Sequence, residues 1–107
     1  MLDKLKALAD EKRFMIIELL LHKRYCVKAL ATHLGISESA VSQHLKVLKQ
    51  AGLVIGKKES YFMHYEVNRD IIKEMGDSMI ALSERNEKTY CHKKGTHMCC
   101  IKKHSYN

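Results

Sequence analysis

The stretch Leu34-Gly35-Ile36-Ser37-Glu38-Ser39-Ala40-Val41-Ser42-Gln43-His44-Leu45-Lys46-Val47-Leu48-Lys49-Gln50-Ala51-Gly52-Leu53-Val54 leaves the chain few choices. Gly35 tolerates the left-handed backbone that stops a helix, and Ser37 offers a side-chain oxygen to start another. Upstream, Val27, Leu30, Ala31 and Leu34 recur at helical spacing. Downstream, Val41, Leu45 and Leu48 share one side of a helix that Gly52 ends. A turn of about 100° per residue puts Ser39, Gln43, Lys46 and Gln50 on the opposite side, with Ser42 on its flank. Two helices across a short turn form a helix-turn-helix, and the second has the width to enter a DNA major groove. An ordinary helical hairpin in a core is the competing reading of this stretch.

The residues that follow favour the first reading. Leu53-Val54-Ile55 and Tyr61 to Val67 have strand composition, with Lys57-Lys58-Glu59-Ser60 as the turn between them. Such a hairpin makes a wing, and Lys57 and Lys58 are expected at its tip to meet phosphates. Charge agrees: 19 Lys+Arg against 12 Asp+Glu leave a net +7, which suits a polyanionic partner.

There is no proline, so caps and glycines must set the other boundaries. Leu2, Leu5 and Leu8 predict a short helix from about Asp3 to Ala9. Asp10 caps a second helix, Glu11 to His22, for which Phe14, Ile17 and Leu21 form the expected core stripe. A last helix runs from Asn68 or Arg69 to Lys88, its stripe made by Ile71, Met75, Met79 and Leu82 and widened by Ile72 and Ile80. In 107 residues little core is left to cover the first and last helices, so they are expected to pair with their copies in a second subunit. A two-fold dimer then sets two recognition helices about 34 Å apart. The expected fold is mainly α with a small β-hairpin: a winged helix-turn-helix over residues 1–89, dimerising through its terminal helices, with a basic Cys/His-rich tail over 90–107. No apolar run reaches the roughly 18 residues of a membrane span, and no apolar signal core follows the N-terminus. A soluble cytoplasmic protein is expected, with no membrane partner. No nucleophile, base and orienting group stand together in the sequence, so catalysis is not expected.

Two blocks, Leu8-Ala9-Asp10-Glu11-Lys12-Arg13 and Ile36 through Val54, followed by the wing ending in Tyr61 to Val67, resemble the ArsR/SmtB winged-helix metalloregulators. The resemblance covers residues 2 to 88. It implies a homodimeric repressor that sits on double-stranded operator DNA and lets go when a metal, metalloid or other inducer binds. It also implies that Ser39, Ser42 and Gln43 face base edges while Lys46, Lys57 and Lys58 hold the backbone; a glutamine can read adenine bidentately. His44 lies toward the core side and suits a structural or phosphate role.

The inducer site departs from the family's better-known patterns. Arsenic-sensing members carry Cys-Val-Cys on the first helix of the motif; here Cys26 and Val27 are followed by Lys28, with Ala29 where an acid is usual. Zinc- and cobalt-sensing members use paired Asp and His on the last helix; here Asp70 remains, but Ile72 and Ser83 stand where histidines are wanted. The tail Tyr90-Cys91-His92-Lys93-Lys94-Gly95-Thr96-His97-Met98-Cys99-Cys100 resembles, in content, members that carry their thiols at the C-terminus. Cys91, Cys99 and Cys100 supply the three sulfurs that As(III) accepts; His97 added to them makes a Cys₃His set fit for Zn(II), and Cys26 can replace one ligand. Cadmium and lead are further thiophilic candidates. Oxidation of the vicinal pair Cys99-Cys100 with Cys91 or Cys26 is the alternative, which makes the protein a thiol-redox or sulfide sensor.

Overall fold

A computed structural model describes residues 1–86. The tail residues Cys91, His97, Cys99 and Cys100, and the boundary expected at 89/90, lie outside the described residues. The order of elements is α1 (Leu2–Leu8), α2 (Glu11–His22), α3 (Val27–Leu34), α4 (Glu38–Gln50), β1 (Val54–Glu59), β2 (Phe62–Val67) and α5 (Arg69–Ser83). Among the described residues, five helices and one antiparallel hairpin make the winged helix-turn-helix that the sequence leads one to expect.

Side chains close most helix ends. Asp10 accepts from the Arg13 amide at the start of α2, Ser37 from Ala40 at the start of α4, and Asn68 from Ile71 at the start of α5. The block Asp10 to Arg13 also ties elements together. Lys12 Nζ donates to the Leu34 carbonyl at the end of α3, and Arg13 Nε to the Ala7 carbonyl at the end of α1. Cations thus meet the carbonyl ends of two helices, where the backbone is partially negative. At the turn between α3 and α4, Gly35 has φ +67°, a conformation in which a side chain is strained.

Ile16, Leu30, Val41, Leu45, Leu48 and Leu53 form the driest part of the core. One expected stripe is corrected. On α2 the buried residues are Ile16, Ile17 and Leu20, whereas Phe14 is 49% exposed and Leu21 is also at the surface. Almost every residue from Phe14 to Leu21 is apolar, so several faces of this helix were able to turn inward, and α3 and α4 select one. On α1 only Ala7 is buried, Leu5 and Leu8 are partly so, and Leu2 is exposed. Helix α5 buries Met75 and half-covers Ile71 and Ile72, but Met79, Ile80 and Leu82 stay at the surface. It ends at Ser83 rather than continuing toward Lys88.

Candidate nucleic-acid interface

Helix α4 divides cleanly. Val41, Leu45 and Leu48 are buried, while Ser39, Ser42, Gln43 and Lys46 are exposed on the other side. Three apolar anchors therefore fix the rotation of the helix about its own axis, and that rotation sets where the polar side chains point. His44 lies on the body side: its Nδ1 is 4.0 Å from Asp10 Oδ2, which places it against the start of α2. The Arg13 amide bonded to Asp10, with the Arg13 guanidinium and the His44 ring close by, holds the Asp10 carboxyl below the usual carboxylate range.

The wing differs from expectation in a way that matters for its lysines. Its strands pair from Val54↔Val67 out to Glu59↔Phe62, so the connection is only Ser60-Tyr61. Ser60 takes φ +52°, which reverses the chain within two residues, and Tyr61 at the tip is 99% exposed. Lys57 and Lys58 lie within β1, not at the tip. Because strand side chains alternate between faces, the two lysines part company. Lys57 lies opposite His64, on the face that carries Glu59 and Glu66, and its ammonium is 3.6 Å from Glu66 Oε1. Lys58 lies opposite Met63 and shares the other face with Tyr65.

That second face adjoins the recognition helix. Tyr65 lines a groove with Ser42, Leu45, Lys46, Lys49 and Gln50. Gly56 lies opposite Tyr65, and a Cβ there would come within 2.9 Å of Met63 Cε and 3.3 Å of Tyr65 Cε1, so a bare backbone lets both side chains cross it. The structure thus brings Ser42, Lys46 and the Lys58 face of the wing to one side of the molecule. Lys57 is turned to the opposite face. Sequence reasoning missed Tyr65, Lys49 and the tip residue Tyr61. Counting the register outward from Val54 and Val67 finds all but Lys49, because a two-residue connection leaves Ser60 and Tyr61 alone at the end.

The segment before α3 completes the sheet with an isolated bridge, Tyr25↔Tyr65. Cys26 follows it at the N-cap of α3, half-buried and without a side-chain cap bond. Among the described residues no group of three or more His, Cys, Asp or Glu side chains is placed to hold a metal ion. The described fold therefore offers Cys26 as its single thiol. Among the same residues, no helix is long and apolar enough to cross a membrane.

Residues 10–55 match the model of the arsR family of bacterial regulatory proteins. The transcriptional activator HlyU of Vibrio cholerae is 39% identical over 71 residues, covering 66% of each chain, just under two thirds of that relative's length. Its reduced form superposes with a TM-score of 0.63 at 34% identity, over 78% of this chain and 88% of that one. The arsenical resistance operon repressor of Bacillus subtilis is 31% identical over 99 residues, or 92% of this chain and 88% of the repressor. A homodimeric winged helix-turn-helix DNA-binding domain from Mycobacterium bovis, solved in solution, gives a TM-score of 0.63 at 28% identity over 85% of each chain.

Proposed function

Because the chain belongs to the arsR family of bacterial regulatory proteins, we propose that it is a homodimeric, DNA-binding transcriptional repressor working in the cytoplasm. It leaves its operator when a thiophilic metal or metalloid, arsenite foremost, binds its cysteine thiolates. The observation that carries the reading is the division of α4: one side locked by Val41, Leu45 and Leu48, the other presenting Ser39, Ser42, Gln43 and Lys46 beside a wing. Gln43, with Ser39 and Ser42, reads base edges; Lys46 and Lys58 hold phosphates. Lys57 contributes less, since its charge is engaged by Glu66 on the far face.

Dimerisation uses α1 and α5. The exposed Leu2, Met79, Ile80 and Leu82 are the apolar surface a second copy would cover, and the Mycobacterium bovis neighbour is itself a homodimer. With Cys26 the single described thiol, the sulfur ligands come from the tail over 90–107: Cys91, Cys99 and Cys100, joined by His97 for a four-ligand ion such as Zn(II), or by Cys26. The similarity to an arsenical resistance repressor supports arsenite over zinc, cadmium or lead. The work is binding and release, not catalysis.

A gel-shift with the DNA upstream of the protein's own gene tests the reading, titrated in parallel with arsenite, antimonite, cadmium, lead, zinc and a mild oxidant. A complex that forms at low salt and dissolves with arsenite is expected. Failure to bind that fragment would discard the repressor. A second reading keeps the repressor and replaces the metal with thiol oxidation; similarity to a protein solved in a reduced state favours it. Its mark is a disulfide that abolishes DNA binding with no metal present.

A further inference from the structure

Neither the core nor the DNA-facing side of α4 accounts for His64. It lies in the middle of β2, only 4% exposed, and its Nε2 is the one buried side-chain nitrogen or oxygen among the described residues without a hydrogen-bond partner. An orphan of this kind asks for an explanation. Both ring nitrogens face carboxylates: Nδ1 is 3.4 Å from Glu59 Oε1 and Nε2 is 3.5 Å from Glu66 Oε2. Two cations reach the ring's surroundings through those carboxylates. Lys57 holds Glu66 at 3.6 Å; Arg24, from the connection between α2 and α3, lies 3.5 Å from Glu66 and 3.8 Å from Glu59. The charged groups around the ring are thus Lys57 and Glu59 on β1, Glu66 on β2 and Arg24 on the neighbouring connection.

A neutral imidazole has one N–H and one lone pair. With a carboxylate on each side, it satisfies one and turns a lone pair toward the other. The imidazolium donates in both directions, and each contact is then charge-assisted. Glu59 ends β1 next to the tip, and Glu66 stands one residue from the base. A ring bonded to both ties the two ends of the wing together.

We propose that His64 is a positioning residue for DNA binding: its imidazolium staples Glu59 to Glu66, keeps the hairpin straight beside α4, and releases it on deprotonation. The proposal rests on the DNA-binding reading above. Only the charged ring donates to both carboxylates at once, so the staple belongs to the imidazolium and is incomplete in the neutral ring.

The full chain is compared with His64→Gln, Glu59→Gln and His44→Gln from about pH 5 to about pH 8 at fixed ionic strength. Two quantities are read: anisotropy of the protein's own upstream DNA fragment, and protection of wing amides against hydrogen exchange, corrected for intrinsic pH dependence. In the wild type both should fall severalfold as pH rises. His64→Gln and Glu59→Gln should flatten both profiles, whereas His44→Gln, whose ring faces Asp10 rather than the wing, should keep them. Circular dichroism checks that His64→Gln folds, and Glu59→Gln, at an exposed side chain, carries the test if it does not. Equal slopes in the wild type and the Glu59→Gln variant overturn the staple, as does wing protection that ignores pH. A fragment unbound at every pH would defeat the DNA reading instead, and the exchange profile would still decide the role of His64.

Discussion

At the residue scale, the side chains of the interface differ in what they should contribute. Gln43 has two hydrogen-bonding groups at its end and stands exposed on the outer side of α4, so it can pair with a base edge as no serine can. Gln43→Ala should cost about 1–3 kcal/mol of operator binding and relax the preference at one base pair, measured by competition with singly substituted operators. Unchanged affinity and preference would remove it from the readout. The two wing lysines make a sharper comparison. Lys58→Ala should weaken all sequences alike and reduce the slope of log affinity against log salt by about one. Lys57→Ala should change that slope less, because Glu66 already neutralises its ammonium on the face turned from α4. The adjacent pair Lys57-Lys58 looks equivalent in the sequence; only the strand register separates them.

At the scale of elements, the caps do much to define where each helix begins. Ser37→Ala removes the acceptor for the Ala40 amide and should lower stability by about 1 kcal/mol in denaturant unfolding, with the recognition helix fraying first. Asp10→Ala should show its effect through pH. The Asp10 carboxyl titrates lower in the folded chain than its ordinary value of 3.8, so its contribution is present above that value and lost as pH falls through the folded one. The melting temperatures of wild type and Asp10→Ala should therefore differ at neutral pH and converge in strong acid. These caps, with Gly35, were legible in the sequence because each acts within four residues, and so were the α4 anchors, because their spacing admits one buried face. What was not legible depended on choices between distant elements. Helix α2 is apolar nearly all round from Phe14 to Leu21, and its orientation is decided by α3 and α4. The run Lys57-Lys58-Glu59-Ser60 has the polarity of a turn, yet three of its four residues continue β1 because pairing with β2 holds to Glu59↔Phe62. His64 gave no signal, since the carboxylates that face its ring, Glu59 and Glu66, are brought to it only by the strand register.

At the scale of the whole molecule, the question is how events at thiols are felt at α4. A monomer has one recognition helix; the proposed dimer has two whose separation must match successive turns of DNA, so a small change in how the subunits meet alters the fit of both. Ile80 tests the pairing. It is 55% exposed on α5, so Ile80→Asp should leave the monomer folded while a charge blocks burial against a second copy. Sedimentation should then report a single chain, and operator affinity should collapse although α4 is untouched; a variant that remains dimeric would move the interface elsewhere. The tail lies beyond α5 in the chain, which gives ligand binding there a route to the same interface. Cys99→Ser with Cys100→Ser removes two of the three tail sulfurs, and three-sulfur capture of As(III) cannot then be completed within one chain by Cys91 even with Cys26. The double variant should bind the operator as tightly as the wild type and stay bound at arsenite concentrations that release it. Cys26→Ser run beside it separates the two sources of thiol: retained induction assigns sensing to the tail alone, and lost induction makes Cys26 a partner. Normal release of the double variant by arsenite would place the inducer site away from Cys99 and Cys100, while the grip of α4 on DNA would stand unaffected.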